Sequence, residues 1–394
     1  MKSVHLVVAD LFLPKDFAAE ACAGLRLPAL ERILARGRSE MHPPISLEEA
    51  LCGLFAVSGK TGLAAISAAF DGLERGCWLR ADPVHVRLQR EQVVLLPNVT
   101  VSVEEAALFC ASLNEHFAGQ GMAFFAPHPL RWYVRLDALP DITTVPLSQA
   151  GGRNIQGNLP TGPDARHWHQ LFNEIQMLLF AHPLNEAREA RGEMPVNSVW
   201  FWGDGAAQMP TQSPIERASS DELLVEMLAS QAGIPCASWQ PTWRNSLAPD
   251  GERSGERELL VWTGLRCALQ RGDLAAWRDA LQDFETGYAQ PLWQALRTGR
   301  IARLSLDVLG GDGLRSVALA RADSWSFWRK TRRLADYSVT DMELMPPQKT
   351  KLAMPVPSPQ SSDETTSHST KPSQNDGKVA GYPVNGRGDE RIAT

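Results

Sequence analysis

No run of apolar residues in the chain reaches the roughly 18 to 20 needed to cross a bilayer, so no membrane helix is expected. Basic charge is not in surplus. Lys and Arg number 39 against 45 Asp and Glu, a net charge of −6, and nothing points to the basic patch that nucleic acid calls for. The six cysteines (Cys22, Cys52, Cys77, Cys110, Cys236 and Cys267) include no C-x-x-C pair. That argues against a zinc cage or a disulfide framework and fits buried thiols in a reducing cytoplasm. Histidine is scarce in the second half, where His368 alone occurs. The opening MKSVHLVVAD has too short an apolar stretch for a secretory signal and no small-residue cleavage site, so it reads as a strand.

What is present fits a globular protein of two or three domains: 394 residues with 44% hydrophobic content. Twelve tryptophans cluster in part in WFWGDG and SWSFW, where indoles mostly mean core. The strand Val4 to Val8 stops at Asp10, and Leu30, Ile33 and Leu34 recur at helical spacing before Gly37. A further helix is expected over 47–57, with Ser46 and Glu49 in the pattern of a capping box.

From Cys77 the texture becomes β-like. WLRADPVHVRL and QVVLLPN alternate, a helix is expected over 103–117, a strand pair over FFAPHPLRWYVRLDAL, and a long helix over 164–191. This block, 76–192, reads as an inserted α+β domain. VNSVWFWGDG is read as the return to the first sheet, followed by a helix over 221–232, the strand ELLVW, a helix over 274–296 and the strand RLSLDVL. Strands alternating with helices predict an α/β fold with a doubly wound, mostly parallel sheet, built from 1–75 and 193–345. Residues 346–394 carry Pro, Ser, Thr and Lys with almost no large apolar side chain, and a disordered tail is expected there.

Several segments resemble, in order, the archaeal-type cofactor-independent phosphoglycerate mutases of the alkaline phosphatase superfamily. LPALERILARG is similar to that superfamily's P-N-L-D-R-L-A-x-x-G helix, and WLRADPVHV to the strand that opens the mutases' inserted domain. The most specific likeness is HPLNEAR followed by VWFWGDG, which resembles the run H-P-V-N-x-x-R and W-x-W-G-x-G. The chain as a whole also resembles a bacterial family labelled RpfE-type regulatory protein. The resemblance implies an alkaline-phosphatase-like core, a Ser or Thr nucleophile, and two divalent ions held by Asp and His.

Asp10 stands where the first metal-binding aspartate belongs, although an Asp after a strand is often a turn former. Ser46 lies one residue out of register with the nucleophile of the P-G-S-D run, and the N-cap role explains it without special chemistry. Where the mutases carry E-A-x-H and Asp-His, this chain has LLVWTGLRCALQRGD and LSLDVLGGDG. Asp273, Asp307 and Asp312 are the nearest carboxylates, and the histidines are missing. A centre built from these groups would favour Mg²⁺ or Mn²⁺; with the ligands so reduced, no cofactor is expected.

In the inserted domain the resemblance implies arginines that grip the substrate's phosphate and carboxylate. Arg80 and Arg188 fall on motif positions, Asn185 sits beside Arg188, and Arg131 and Arg135 share one face of a strand. Ion pairs with Asp82, Asp137 and Glu186 are the competing reading. His128 and His182, both in H-P pairs, read as structural.

Three functions remain open on the sequence. The first is a mutase-like protein, weakened or inactive in catalysis, that binds a small anionic metabolite in a regulatory role. The second is a working phosphomonoesterase or mutase with a rebuilt metal site. The third is a scaffold that meets a protein partner through its tail.

Overall fold

The computed structural model describes residues 2–57, 62–89, 92–205, 213–243, 257–310 and 313–337. Its strands are β1 (Ser3–Ala9), β2 (Arg38–His42), β3 (Cys77–Gln89), β4 (Gln92–Leu96), β5 (Met122–His128), β6 (Arg131–Leu136), β7 (Ser198–Trp202), β8 (Arg217–Ser220), β9 (Cys236–Ser238), β10 (Arg257–Trp262), β11 (Arg303–Gly310) and β12 (Gly313–Ala320). Its helices are α1 (Lys15–Ala21), α2 (Pro28–Arg36), α3 (Leu47–Leu54), α4 (Leu63–Phe70), α5 (Val103–His116), α6 (Leu147–Ala150), α7 (Ala165–Phe180), α8 (Pro183–Ala190), α9 (Leu223–Ala232), α10 (Arg266–Gln270), α11 (Leu274–Phe284) and α12 (Gln290–Thr298).

Among the described residues seven strands form one sheet in the order β2-β12-β11-β1-β10-β8-β9. The run from β11 to β9 is parallel, while β12 and β2 add an antiparallel edge. The mostly parallel, doubly wound α/β fold predicted from the sequence is therefore what the chain adopts. Alternation along β1 shows how it is buried. Val4, Leu6 and Val8 join a core with α1, α2, α11 and α12, while Val7 faces a second core with α3, α4 and α9. A strand covered on both faces needs a nearly unbroken apolar run, which is what VHLVVA supplies.

The second sheet runs β4-β3-β6-β5, with β7 added on β3. β3 is long enough to change partners, pairing β6 through Cys77–Arg80, β7 through Arg80–Val84 and β4 through His85–Gln89. Helices α5 and α7 close one face over Phe109, Trp132 and Ile175. One boundary differs from the expected 192. VNSVWFW does not resume the parallel sheet; it pairs antiparallel with β3 and completes the second sheet. A short apolar run buried on both sides has no periodicity to say which sheet it joins. The long helix expected over 164–191 is also broken, because Pro183 opens α8 and His182 Nδ1 accepts the Leu184 N–H at 3.2 Å. Residues 346–394 lie outside the described residues.

The start of α2 has no side-chain cap of its own. The Ala29 and Leu30 N–H groups instead donate to Glu285 Oε1 and Oε2, at 2.8 and 3.0 Å. Glu285 is wholly buried, in a π-helical turn (Glu285–Ala289) that joins α11 to α12. A fully buried carboxylate shared by two helix N–H donors is a charge-assisted cap. Glu285→Ala is expected to lower unfolding stability by about 2 kcal/mol or more, since it leaves two buried donors unpaired. Urea denaturation checks this, and a loss below about 0.5 kcal/mol would show that the helix start finds other partners.

Candidate functional site

Where helix α4 meets the second sheet, one chain of polar contacts runs through otherwise apolar packing. Arg80 on β3 donates to Asp82 Oδ1 from Nε and Nη2, at 3.1 and 2.6 Å, and to Ser67 Oγ on α4 from Nη1 at 2.9 Å. Its guanidinium lies between the Tyr133 and Trp202 rings, 5.1 Å from each centroid. Ser67 Oγ shares a 2.5 Å hydrogen bond with the Tyr133 hydroxyl, which donates to Asp71 Oδ2 at 2.6 Å. Arg131 closes the chain with two bonds to Asp71, at 2.9 and 2.7 Å. Burial alone would raise the Asp71 carboxyl, but the bonds from Arg131 and Tyr133 outweigh it and hold the group below its ordinary value.

This network forms part of one wall of a cleft of about 680 Å³. α3, α4 and α9 supply the core side, and β3, β6 and the segments 96–98 and 147–152 supply the other. Its walls are largely apolar, with Leu63, Leu147, Leu224, Met227 and Trp202 among them. Two carboxylates also reach it, Glu48 from the first turn of α3 and Glu222 from the start of α9. Glu48 Oε1 accepts the Ser148 hydroxyl at 2.6 Å. Burial raises the Glu222 carboxyl; the Leu224 N–H and the nearby Arg266 pull it back, and Glu48 pushes it up further. His128, also on the wall, is lowered by burial and by the positive charge of Arg131.

Ligands in doubly wound sheets bind beyond the carboxyl ends of the strands, and the cleft adjoins that edge through Glu222, which follows β8. Asp10 ends β1 in a left-handed conformation (φ 58°), its N–H donating to Leu309 O at 2.9 Å. Its carboxylate accepts the Arg266 Nε–H at 3.0 Å, from the first residue of α10. A guanidinium thus sits on the carboxylate that the resemblance assigns to a metal.

Two of the other carboxylates expected to complete a two-metal centre, Asp307 and Asp273, are engaged elsewhere. Asp307 lies inside β11 rather than at its end and bonds His5 Nε2 at 2.7 Å. Burial alone would raise its carboxyl, but His5 holds it below the ordinary range. Asp273 caps α11 through the Ala276 N–H at 2.9 Å. Asp312 falls outside the described residues. Among the described residues, no three His, Cys, Asp or Glu side chains are grouped to hold a metal ion. Among the described residues the donor set does not fit the pair of divalent ions that the resemblance implies.

Ser46 also has its bonds filled. Its hydroxyl accepts the Glu49 N–H at 3.0 Å and lies 3.1 Å from Glu49 Oε2, which takes the Ser46 N–H at 2.9 Å. That is a complete capping box, with Ser46 only 5% exposed and its hydroxyl directed to the carboxylate that completes the cap.

Of the arginines expected to bind an anion, Arg80 and Arg131 reach the cleft and the others do not. Arg188 is 0% exposed, bonded to Glu105, Thr100 O and Met194 O, and Asn185 ties Leu179 O to both backbone groups of Val196. Both fasten α8 inside the second domain, which explains the H-P-x-N-x-x-R run as a structural signature. Arg135 is exposed and approaches Glu74 at 3.8 Å. Sequence reasoning missed Glu48, Glu222, Ser67, Asp71, Tyr133 and Arg266. Arg266 had a visible signal, a basic residue just past LLVW where the resemblance requires acid and histidine.

No protein-family model matches the chain. Among curated proteins it is similar to the 2,3-bisphosphoglycerate-independent phosphoglycerate mutase of Methanosarcina mazei, 27% identical over 200 residues that make up 46% of this chain and 49% of the relative. A probable enzyme of the same name from Geobacter sulfurreducens is 38% identical over 66 residues, 17% of this chain and 16% of that one. The chain thus spans no more than about half the length of these relatives. Among solved structures, the PH0037 protein of Pyrococcus horikoshii has the same fold with a TM-score of 0.51 at 13% identity, over 85% of this chain and 92% of that one.

The Asp71 contacts carry a pH signature. A carboxylate held below its ordinary value contributes stability above about pH 4 that is lost as pH falls through its folded value. Asp71→Asn is therefore expected to be less stable than the parent at pH 7, with the gap closing in acid. Urea midpoints measured from pH 7 to pH 3 test this, and a gap that does not change with pH would count against it.

Proposed function

We propose that this chain is a phosphoglycerate-mutase-like protein that binds a small ligand in the cleft between its two sheets and does not carry out two-metal phosphoryl transfer. Its role is then regulatory, exerted through the ligand. The observation that carries this reading is the Arg266–Asp10 pair at the carboxyl end of β1. A divalent ion binding at Asp10 would have to displace a guanidinium already bonded there, without histidine ligands to offset that cost. Ser46, with its hydroxyl committed to a helix cap, supports the same reading.

The anionic metabolite that the resemblance implies would meet Arg80 and Arg131 in this cleft. Each already holds a carboxylate, Asp82 and Asp71, so a phosphate would compete with an intramolecular partner. The cleft is open to a ligand, but its two cations are largely neutralised.

Purified protein is expected to hold no stoichiometric divalent metal by elemental analysis. It is also expected to release no phosphate from phosphomonoesters above background, with or without added Mn²⁺. Two tightly bound ions together with turnover lost in Asp10→Ala would overturn the proposal.

A further inference from the structure

The SWSFW run does not join the core. It follows β12 through a 3₁₀ turn (Arg321–Trp325), and burial alternates along it. Ser324 and Ser326 are buried, while Trp325, Phe327 and Trp328 are 57%, 82% and 68% exposed. The backbone that presents these rings is tied down. Ser324 O accepts from Arg36 Nη1 at 2.6 Å, and the Ser324 hydroxyl donates to Arg321 O at 2.7 Å. Arg329 Nη1 donates to Arg36 O and Gly37 O, at 2.6 and 3.0 Å. Further on, the N–H of the buried Leu334 donates to Glu31 Oε1 at 3.2 Å. Three large rings are thus held out in solvent on a fastened loop, against the usual burial of such side chains.

Positive charge gathers around them. Arg297 lies over the Trp325 ring, 5.4 Å from its centroid, and Arg321 Nε donates to Arg297 O at 3.3 Å. Arg329, Lys330 and Arg332 follow Trp328 in the chain and are exposed. Among the described residues none of these five cations is in an ion pair. The neighbouring carboxylates serve the backbone instead: Asp323 accepts the Ala320 N–H at 2.8 Å and Asp336 the Arg333 N–H at 3.0 Å. In a chain of net charge −6 this is a local surplus that calls for an anionic partner.

We infer that this loop docks the protein on an anionic lipid surface. Phe327 enters the outer apolar layer, Trp325 and Trp328 sit at headgroup level, and the cations meet lipid phosphates. None of these residues lines the cleft, so the inference is independent of the ligand reading. Two features favour a membrane over other polyanions. The most exposed ring, Phe327, has no polar atom, and it stands among indoles whose N–H groups suit the headgroup region. A single-stranded nucleic acid needs open ring faces on which successive bases stack, whereas Phe327 and Trp328 meet edge to face, at 5.4 Å and 79°. Residues 346–394 are no substitute partner, since their Lys and Arg balance their Asp and Glu with no acidic surplus.

The test is co-sedimentation of the full chain with phosphatidylcholine vesicles, with and without phosphatidylglycerol. Binding is expected to be at least about tenfold tighter with the anionic lipid and to weaken as salt rises. Phe327→Ser combined with Trp328→Ser is expected to weaken binding to the anionic vesicles at least about tenfold. Both side chains are exposed, so the melting temperature is expected to stay unchanged. Lys330→Glu combined with Arg332→Glu is expected to weaken binding by a similar factor of about tenfold. The comparison of lipids on the parent chain stands even if a variant folds poorly. Equal binding to neutral vesicles, or binding that survives either double variant unchanged, would overturn the proposal. Binding to oligothymidylate or polyglutamate in place of vesicles would overturn it too, as would no binding at all.

Discussion

The joint between the two sheets depends on a single buried guanidinium. Arg80 extends from the long strand β3 and reaches Ser67 on α4, which belongs to the other sheet's helical layer. Burying that charge is costly, and the cost is met by Asp82, by two aromatic faces and by the hydroxyl chain through Tyr133 to Asp71 and Arg131. Every member has its partners, so the network fixes one register of α4 against β3 and β6. Because these residues also wall the cleft, the cleft's shape is set by the same contacts that hold the sheets together.

This arrangement changes what the arginines mean. Arginine on a family's motif position invites a reading as an anion grip, and two of those named do face the cleft. Their forks are already filled by Asp82 and Asp71, while Arg188 is a buried fastener for α8. At the sheet's carboxyl edge Arg266 likewise supplies the positive charge beside Asp10.

Much of this architecture was legible in the sequence. The apolar runs of β1, β10 and β11, the capped helix after Ser46 and the change of texture at Cys77 each reflect local chemistry that a linear pattern records. The sheet to which VNSVWFW belongs was not legible, since a run buried on both faces carries no sign of its neighbour. The site was harder still. Glu48 sits in a helix first turn and Glu222 at a helix N-cap, where acidic residues are ordinary, and only the fold brings both to one cleft. Asp273 and Asp307 were the carboxylates nearest the positions where the resemblance implies ligands, yet a helix cap and an in-strand histidine partner account for both.

The position of β1 also bears on the order in which the fold is built during synthesis. Its two neighbours in the sheet are β10 and β11, so the chain's first strand has no partner until residues 257–262 and then 303–309 have been made. The strands of the second sheet are all drawn from Cys77–Trp202. An apolar strand therefore waits for its partners until after the strands of the inserted unit have been made, and the later arrival of Glu285 leaves α2 uncapped over the same interval.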